Sequence, residues 1–194
     1  MSRYIVTYTG KKFDPLEPNI EDIDIIDISH ALSFVNRYAG HSKFPYSVAL
    51  HSMMVSDMCS SEHALAGLLH DASEAYLGDI CRPMKVTNVF AEYRKVEAHL
   101  QALIYKKFDV PYTYVPTAVK YADNVAFMLE FKNIMPKIDI SDGTIPRESL
   151  PLWAANMFRD WKWERNQKDV EADFLLMFDI YYARMKMTKE KECV

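Results

Sequence analysis

The chain has 194 residues, of which 49% are hydrophobic and 26% charged, with a net charge of -4. That length suits a single domain, residues 1–194, with a sizeable core, and the composition is that of a soluble globular protein. No apolar run approaches the ~20 residues a membrane span needs, Met1-Ser2-Arg3-Tyr4 does not open a signal peptide, and the negative balance argues against a surface built on duplex nucleic acid; a cytoplasmic protein with no membrane and no stable nucleic-acid partner is expected.

The first 28 residues read as an N-terminal arm. Tyr4-Ile5-Val6-Thr7-Tyr8-Thr9 has strand composition, Gly10-Lys11-Lys12 reads as a turn, and Pro15 and Pro18 forbid regular structure after it. Ile23-Asp24-Ile25-Ile26-Asp27-Ile28 reads as a short strand. Ser29 is then expected to cap a helix from His30 to about Tyr38, with Leu32, Phe34 and Val35 on its apolar side and Gly40 just past its end. Ser47 caps a second helix, from Val48 to about Cys59, on which Val48, His51, Val55 and Met58 recur at helical spacing. A third, from about Glu62 to Tyr76, is stopped by Gly78-Asp79 and Pro83. A fourth, roughly Val86 to Phe108, turns Val89, Tyr93, Val96, Leu100, Leu103 and Ile104 inward. A fifth spans Pro116 to Ile134, with Val119, Ala122, Asp123, Ala126 and Leu129 along one side. Residues 135–166 are expected to be mostly loop, with a short helix near Leu152 to Phe158. Asp169 to Met187 reads as a final helix ahead of a frayed tail. The sum is all-α: a helical core over 29–134, a loop and C-terminal helix over 135–194, and a small extended or β-hairpin arm. The three cysteines, Cys59, Cys81 and Cys193, fit neither a zinc site nor a disulfide framework and read as free thiols.

Four polar residues intrude on apolar helix faces: His51, His70, Asp71 and Asp123. Each costs free energy to bury unless it is paired or holds an ion. Singly, each has an ordinary account; His51 reads as a satisfied core histidine, and Asp123 as a surface carboxylate beside Lys120. Together, two imidazoles and two carboxylates suit a divalent transition ion (Co, Mn, Zn or Fe) better than calcium. Four protein ligands leave a coordination position open, as catalytic sites do. Glu74 lies i+4 from His70 and i+3 from Asp71, on a face where a carboxylate can hold or deprotonate a water at the ion. Asp79, just past the helix end, is placed to orient a ligand or line the pocket mouth. His63 and His99 read as packing or surface residues.

The order His51, His70-Asp71, Asp123 resembles the HD-domain superfamily of metal-dependent phosphohydrolases. Ile25-Ile26-Asp27-Ile28-Ser29-His30-Ala31-Leu32-Ser33, Arg37-Tyr38-Ala39-Gly40-His41, Tyr46-Ser47-Val48-Ala49-Leu50-His51-Ser52 and the run from His70 to Asp79 resemble a phage and bacterial subfamily. That subfamily is related to the YfbR-like 5'-deoxynucleotidases and the phage dATP triphosphohydrolases. The resemblance is close from about Gly10 to Asp123 and looser beyond.

The resemblance implies an HD-domain helical bundle in which His51, His70, Asp71 and Asp123 are the metal ligands. Glu74 matches the glutamate that positions or activates the attacking water, Arg37 the arginine that holds the phosphate, and Asp79 an aspartate near the sugar or the water. Tyr38 stands where the relatives carry a tryptophan beside the sugar. His41, in the same motif, is placed on the substrate side, as is Lys85 on position alone; a solvated surface lysine is an equal account of Lys85. The implied activity is a divalent-metal-dependent phosphohydrolase acting on deoxynucleotides, first as a 5'-deoxynucleotidase on monophosphates. The alternatives are a dNTP triphosphohydrolase and, in another class, a nucleotide-sensing module without turnover. A homo-oligomer is expected.

Overall fold

The computed structural model describes residues 3–136 and 150–192. The arm is a hairpin: β1 (Ile5–Val6) pairs antiparallel with β2 (Lys12–Phe13), with Ile5 opposite Phe13 and Val6 opposite Lys12. Gly10 closes it at φ +83, where a side chain would be strained. Lys11 Nζ, 3.0 Å from Asp24 Oδ2, and two further contacts fasten the arm to the body. Thr9 donates from its backbone N–H and its hydroxyl to Asp27, at 2.7 and 2.9 Å. Phe13 is fully buried and stacks on Tyr76, ring centroids 4.0 Å apart.

The expected strand over residues 23–28 is instead the start of a helix. α1 spans Ile25–Phe34 and is capped by Asp24, whose Oδ1 accepts from the Ile26 N–H at 3.0 Å. Ser29, the expected cap, lies inside it and donates its hydroxyl back to the Ile26 carbonyl. Ile28 and Leu32, four residues apart on one face, are buried, while Phe34 faces outward. The chain then leaves the helix and makes a tight turn at Arg37–Gly40 rather than continuing to Tyr38. α2 (Val48–Met58) begins at the Ser47 cap, whose hydroxyl accepts from the Leu50 N–H at 3.2 Å.

The single helix expected over residues 62–76 is two short ones, α3 (Ala64–Leu68) and α4 (Glu74–Leu77). Tight turns join them: the Ala72 N–H donates to the Leu69 carbonyl at 3.1 Å, and the Glu74 N–H to the Asp71 carbonyl at 3.0 Å. A helix break inside a core needs partners for its backbone groups. Gln101 supplies them, donating its amide to the Leu69 carbonyl at 2.7 Å and accepting from the Ser73 N–H at 3.1 Å.

After α5 (Arg82–Lys85) come α6 (Ala91–Lys107), α7 (Thr117–Ile134), α8 (Leu152–Met157) and α9 (Gln167–Glu192). α6 starts later than expected; Val89 lies in the turn before it and is exposed rather than inward. α9 continues past Met187 to Glu192, where a frayed tail was expected. Cys193 and residues 137–149 of the expected loop lie outside the described residues. α2 is buried on every side from Val48 to Ser56 and is the axis of the core. α1, α3, α7 and α9 pack around it. No helix among the described residues is long and apolar enough to cross a membrane. The architecture is mostly helical with a small two-stranded sheet, in line with an all-α body and a hairpin arm.

Candidate metal centre

α2 and the break between α3 and α4 bring His51, His70 and Asp71 to one point, their ligand atoms within 4.8 Å of one another, and α7 sets Asp123 against His51. The His51 and His70 Nε2 atoms are 3.3 Å apart. Asp71 Oδ2 lies 3.1 Å from His70 Nε2 and 3.7 Å from His51 Nε2. Asp123 Oδ1 lies 3.1 Å from His51 Nε2 and 4.0 Å from His70 Nε2. Adjacent residues on a regular helix diverge by about 100°; the turn that replaces the helix lets His70 and Asp71 converge. Gly67 lets α3 approach α2 closely, since a Cβ there would sit 3.0 Å from Cys59 Sγ and 3.1 Å from Ser56 Cα.

The outer nitrogens of the two rings fix their tautomers. His51 Nδ1 lies 2.6 Å from Glu130 Oε1, and His70 Nδ1 lies 2.8 Å from the Gly67 carbonyl. A carboxylate and a carbonyl can only accept, so each Nδ1 is the donor and each neutral ring turns an Nε2 lone pair inward. Two lone pairs and two carboxylate oxygens therefore converge with no donor among them. Ligands about 2.0–2.2 Å from an ion lie roughly 3.0–3.5 Å from one another; the separations of 3.1 and 3.3 Å match this, while His51 to Asp71 at 3.7 Å and His70 to Asp123 at 4.0 Å are wider. Charge fits as well: Arg37 offsets Glu130, and Asp71 and Asp123 leave two negative charges for a divalent cation.

Without a metal, the same crowding draws protons. Burial alone would lower the His70 pKa; Asp71, then Asp123, reverse this and raise it to about 9. His51 also rises, against burial and the Arg37 charge, through Glu130 and Asp123. Burial would raise Asp71, but His70, His51 and Arg37 hold it far below the usual carboxylate range. Asp123 is held down against burial by the same two imidazoles.

Glu130 was absent from the expected site. It is fully buried and accepts from His51 Nδ1 at 2.6 Å, Arg37 Nε at 3.1 Å and the Tyr38 hydroxyl at 2.5 Å. Burial pushes its pKa up; Arg37, then His51, bring it below the ordinary glutamate value. Its sequence signal is a second carboxylate seven residues after Asp123, two helical turns along one face of α7. Arg37 opens a turn in which Tyr38 (φ 57), Ala39 (φ 49) and Gly40 (φ 79) are all left-handed. For the two residues that carry a side chain this costs about 1–2 kcal/mol each, and such strain persists where surroundings enforce it. Here the Arg37 N–H bonds the Tyr46 carbonyl at 2.9 Å while both side chains are held on Glu130. Arg37 Nη1 lies 3.7 Å from Asp71 Oδ2.

Glu74 is buried beside the cluster. Its Oε1 accepts from Lys85 Nζ at 2.7 Å, and its Oε2 has no hydrogen-bond partner among the described residues. Burial, then the charges of Asp71 and Asp79, push its pKa well up, with Lys85 opposing. Lys85 is not a free cation: it bridges Glu74 and Glu97, at 2.7 Å to each. Arg94 secures the end of α5 by donating to the Lys85 and Thr87 carbonyls. Burial raises Asp79, with Arg37 and Lys85 pulling the other way, and no side chain among the described residues pairs with it. His41 is exposed at the end of the Arg37–Gly40 turn, and among the described residues no hydrogen bond or ion pair ties its side chain to the cluster. His63 stacks on Tyr112, ring centroids 5.6 Å apart. A cavity of about 490 Å³ opens elsewhere, between His99, Leu103, Lys106, Tyr112 and Lys189, and no residue of the cluster lines it.

The chain is 37% identical over 131 residues to the uncharacterised protein YfdR of Escherichia coli K12, a match that covers 68% of this chain and 72% of that protein. The chain belongs to the YfdR family. An uncharacterised protein of Rhodobacter capsulatus is 35% identical over 138 residues, covering 65% of this chain and 70% of its own length. No family model matches the chain. Neither YfdR nor the Rhodobacter protein has a name that states an activity, so chemistry for this member of the YfdR family rests on its side chains.

Proposed function

We propose that the chain is an HD-type, divalent-metal-dependent phosphohydrolase acting on deoxynucleotides, with 5'-monophosphates as its first substrates. One observation carries this reading: the inward lone pairs of His51 and His70 meet Asp71 and Asp123 with no donor among them. These four residues would hold the ion, drawn from manganese, cobalt, iron or zinc. A divalent ion supplies Lewis acidity at such a point, polarising a phosphoryl oxygen and making nearby water more acidic.

The chain's own groups bind, orient and move protons. Arg37 is anchored through Nε by Glu130, and its Nη end, 3.7 Å from Asp71 at Nη1, is the part of its planar fork that would meet a phosphate. Glu74 has one oxygen fixed by Lys85 and one with no hydrogen-bond partner among the described residues, on a buried carboxyl whose pKa is raised. That free oxygen holds a water and takes or returns its proton. Glu97 steadies Lys85, and so Glu74, from α6. Tyr38 lies against the Arg37 guanidinium, 5.4 Å from ring centroid to Cζ, and flanks the sugar.

Charge favours a monophosphate over a triphosphate. Arg37 is offset by Glu130, and Lys85 is shared between two carboxylates. Neither adds net positive charge for further phosphates. Incubation of the manganese- or cobalt-loaded protein with dAMP and dATP, with orthophosphate and triphosphate resolved, tests this. Orthophosphate from dAMP is expected. Triphosphate from dATP would move the substrate to the second class, and no cleavage of either would overturn both.

A further inference from the structure

We infer that Glu130 is a positioning residue that fastens the ion-binding and phosphate-binding halves of the site into one geometry. The inference rests on the metal-centre reading and adds a residue outside the ligand set. Glu130 Oε1 faces His51 Nδ1 at 2.6 Å. Its Oε2 takes Arg37 Nε at 3.1 Å and the Tyr38 hydroxyl at 2.5 Å. The carboxylate is fully buried among these three donors, with the buried Tyr46 side chain also beside it. α7 carries Asp123 and Glu130 two turns apart on one face, so one rigid helix sets a ligand and the clamp behind it.

Only an ionised carboxylate serves both halves. An imidazole has two neutral tautomers, and the one with its proton on Nδ1 leaves Nε2 free for an ion; an acceptor at Nδ1 selects it. Arg37 Nε–H likewise needs an acceptor. An amide has one accepting end and one donating end. With its oxygen toward His51, its NH2 meets the Arg37 Nε–H, donor against donor. With its NH2 toward His51, Nδ1 must accept and the ring proton moves to Nε2, into the place of the ion. Glutamine at this position can satisfy either half, not both.

The test is Glu130→Gln, read by three measurements that need no turnover: the imidazole tautomer of His51 by 15N NMR in the metal-free protein at a pH where the ring is neutral, manganese affinity by calorimetry, and orthophosphate affinity of the manganese-loaded protein. For a variant that melts cooperatively, one of two outcomes is expected. Either manganese affinity falls about 10- to 100-fold with the His51 proton on Nε2, or manganese affinity is kept and orthophosphate affinity falls at least about tenfold. A folded variant with the tautomer and both affinities of the wild type overturns the inference. If the variant does not fold, Tyr38→Phe decides. It should keep manganese affinity and weaken orthophosphate binding severalfold, and unchanged orthophosphate affinity overturns the coupling, as does a manganese-loaded wild type that binds no orthophosphate. A wild type that binds no manganese removes the metal-centre reading itself, which separates that failure from a failure of Glu130.

Discussion

His51 and His70 face each other through Nε2 atoms 3.3 Å apart, and with Glu130 and the Gly67 carbonyl each taking an Nδ1 proton, two neutral rings would meet lone pair to lone pair. Two facing lone pairs repel. Only a proton or a cation between them, shared with Asp71 and Asp123, turns the arrangement into an attraction.

Protons and metal therefore compete for one point. With His70 raised to about 9 against burial, chiefly by Asp71, metal affinity should rise between about pH 6 and pH 9, with protons released on binding. The stability of the metal-free protein runs the other way. A raised imidazole contributes fully below its unfolded value of about 6.5 and loses that contribution as pH passes through about 9. Calorimetry in buffers of different ionisation enthalpy measures the first effect, and melts of the chelated protein measure the second. Affinity independent of pH in this window would contradict the competition.

Ligands and proton handler should separate by mutation. His70→Ala combined with Asp123→Ala is expected to lose the metal. Glu74→Gln should keep it and lower turnover about 100- to 10,000-fold, the usual range for removing a general acid or base. Metal content and dAMP hydrolysis, measured on the same preparations, check both; metal retained by the double variant would contradict the ligand assignment.

Gln101 holds the helix break that carries His70 and Asp71. Gln101→Leu leaves the Ser73 N–H unsatisfied inside the core and the Leu69 carbonyl with the Ala72 N–H alone. The expected loss is about 2 kcal/mol in urea unfolding, with weaker metal binding. Full stability with unchanged metal affinity would show that the break needs no support from α6.

Gly67 sets the approach of α3 to α2. Gly67→Ala drives a methyl against Cys59 Sγ at 3.0 Å and the Ser56 backbone at 3.1 Å. Overpacking of this kind costs about 1–3 kcal/mol. It also moves the carbonyl that orients His70, so metal affinity should fall together with the melting temperature.

The sequence made some of this legible because burial pattern and chemistry conflict openly there. His51 and Asp123 sit on apolar stripes, and Ser47 is a cap with a clear helix behind it. α1 was harder, since residues 23–28 carry isoleucines and aspartates in a pattern that suits a strand, and only the bond from Asp24 to the Ile26 N–H makes it a helix start. The break between α3 and α4 was invisible in a run of alanine and leucine. Its partner is Gln101, far along the chain, so no local pattern announces it. Glu130 reads as one more surface acid until Arg37, Tyr38 and His51 are seen around it. Lys85 reads as a free cation until folding sets Glu74 and Glu97 on either side.

Anomalous diffraction at the manganese edge, from crystals grown with saturating manganese, is the most direct measurement. The expected result is one peak within about 2.0–2.3 Å of His51 Nε2, His70 Nε2 and oxygens of Asp71 and Asp123. No peak at that point, or a peak out of reach of both imidazoles, would contradict a metal centre here.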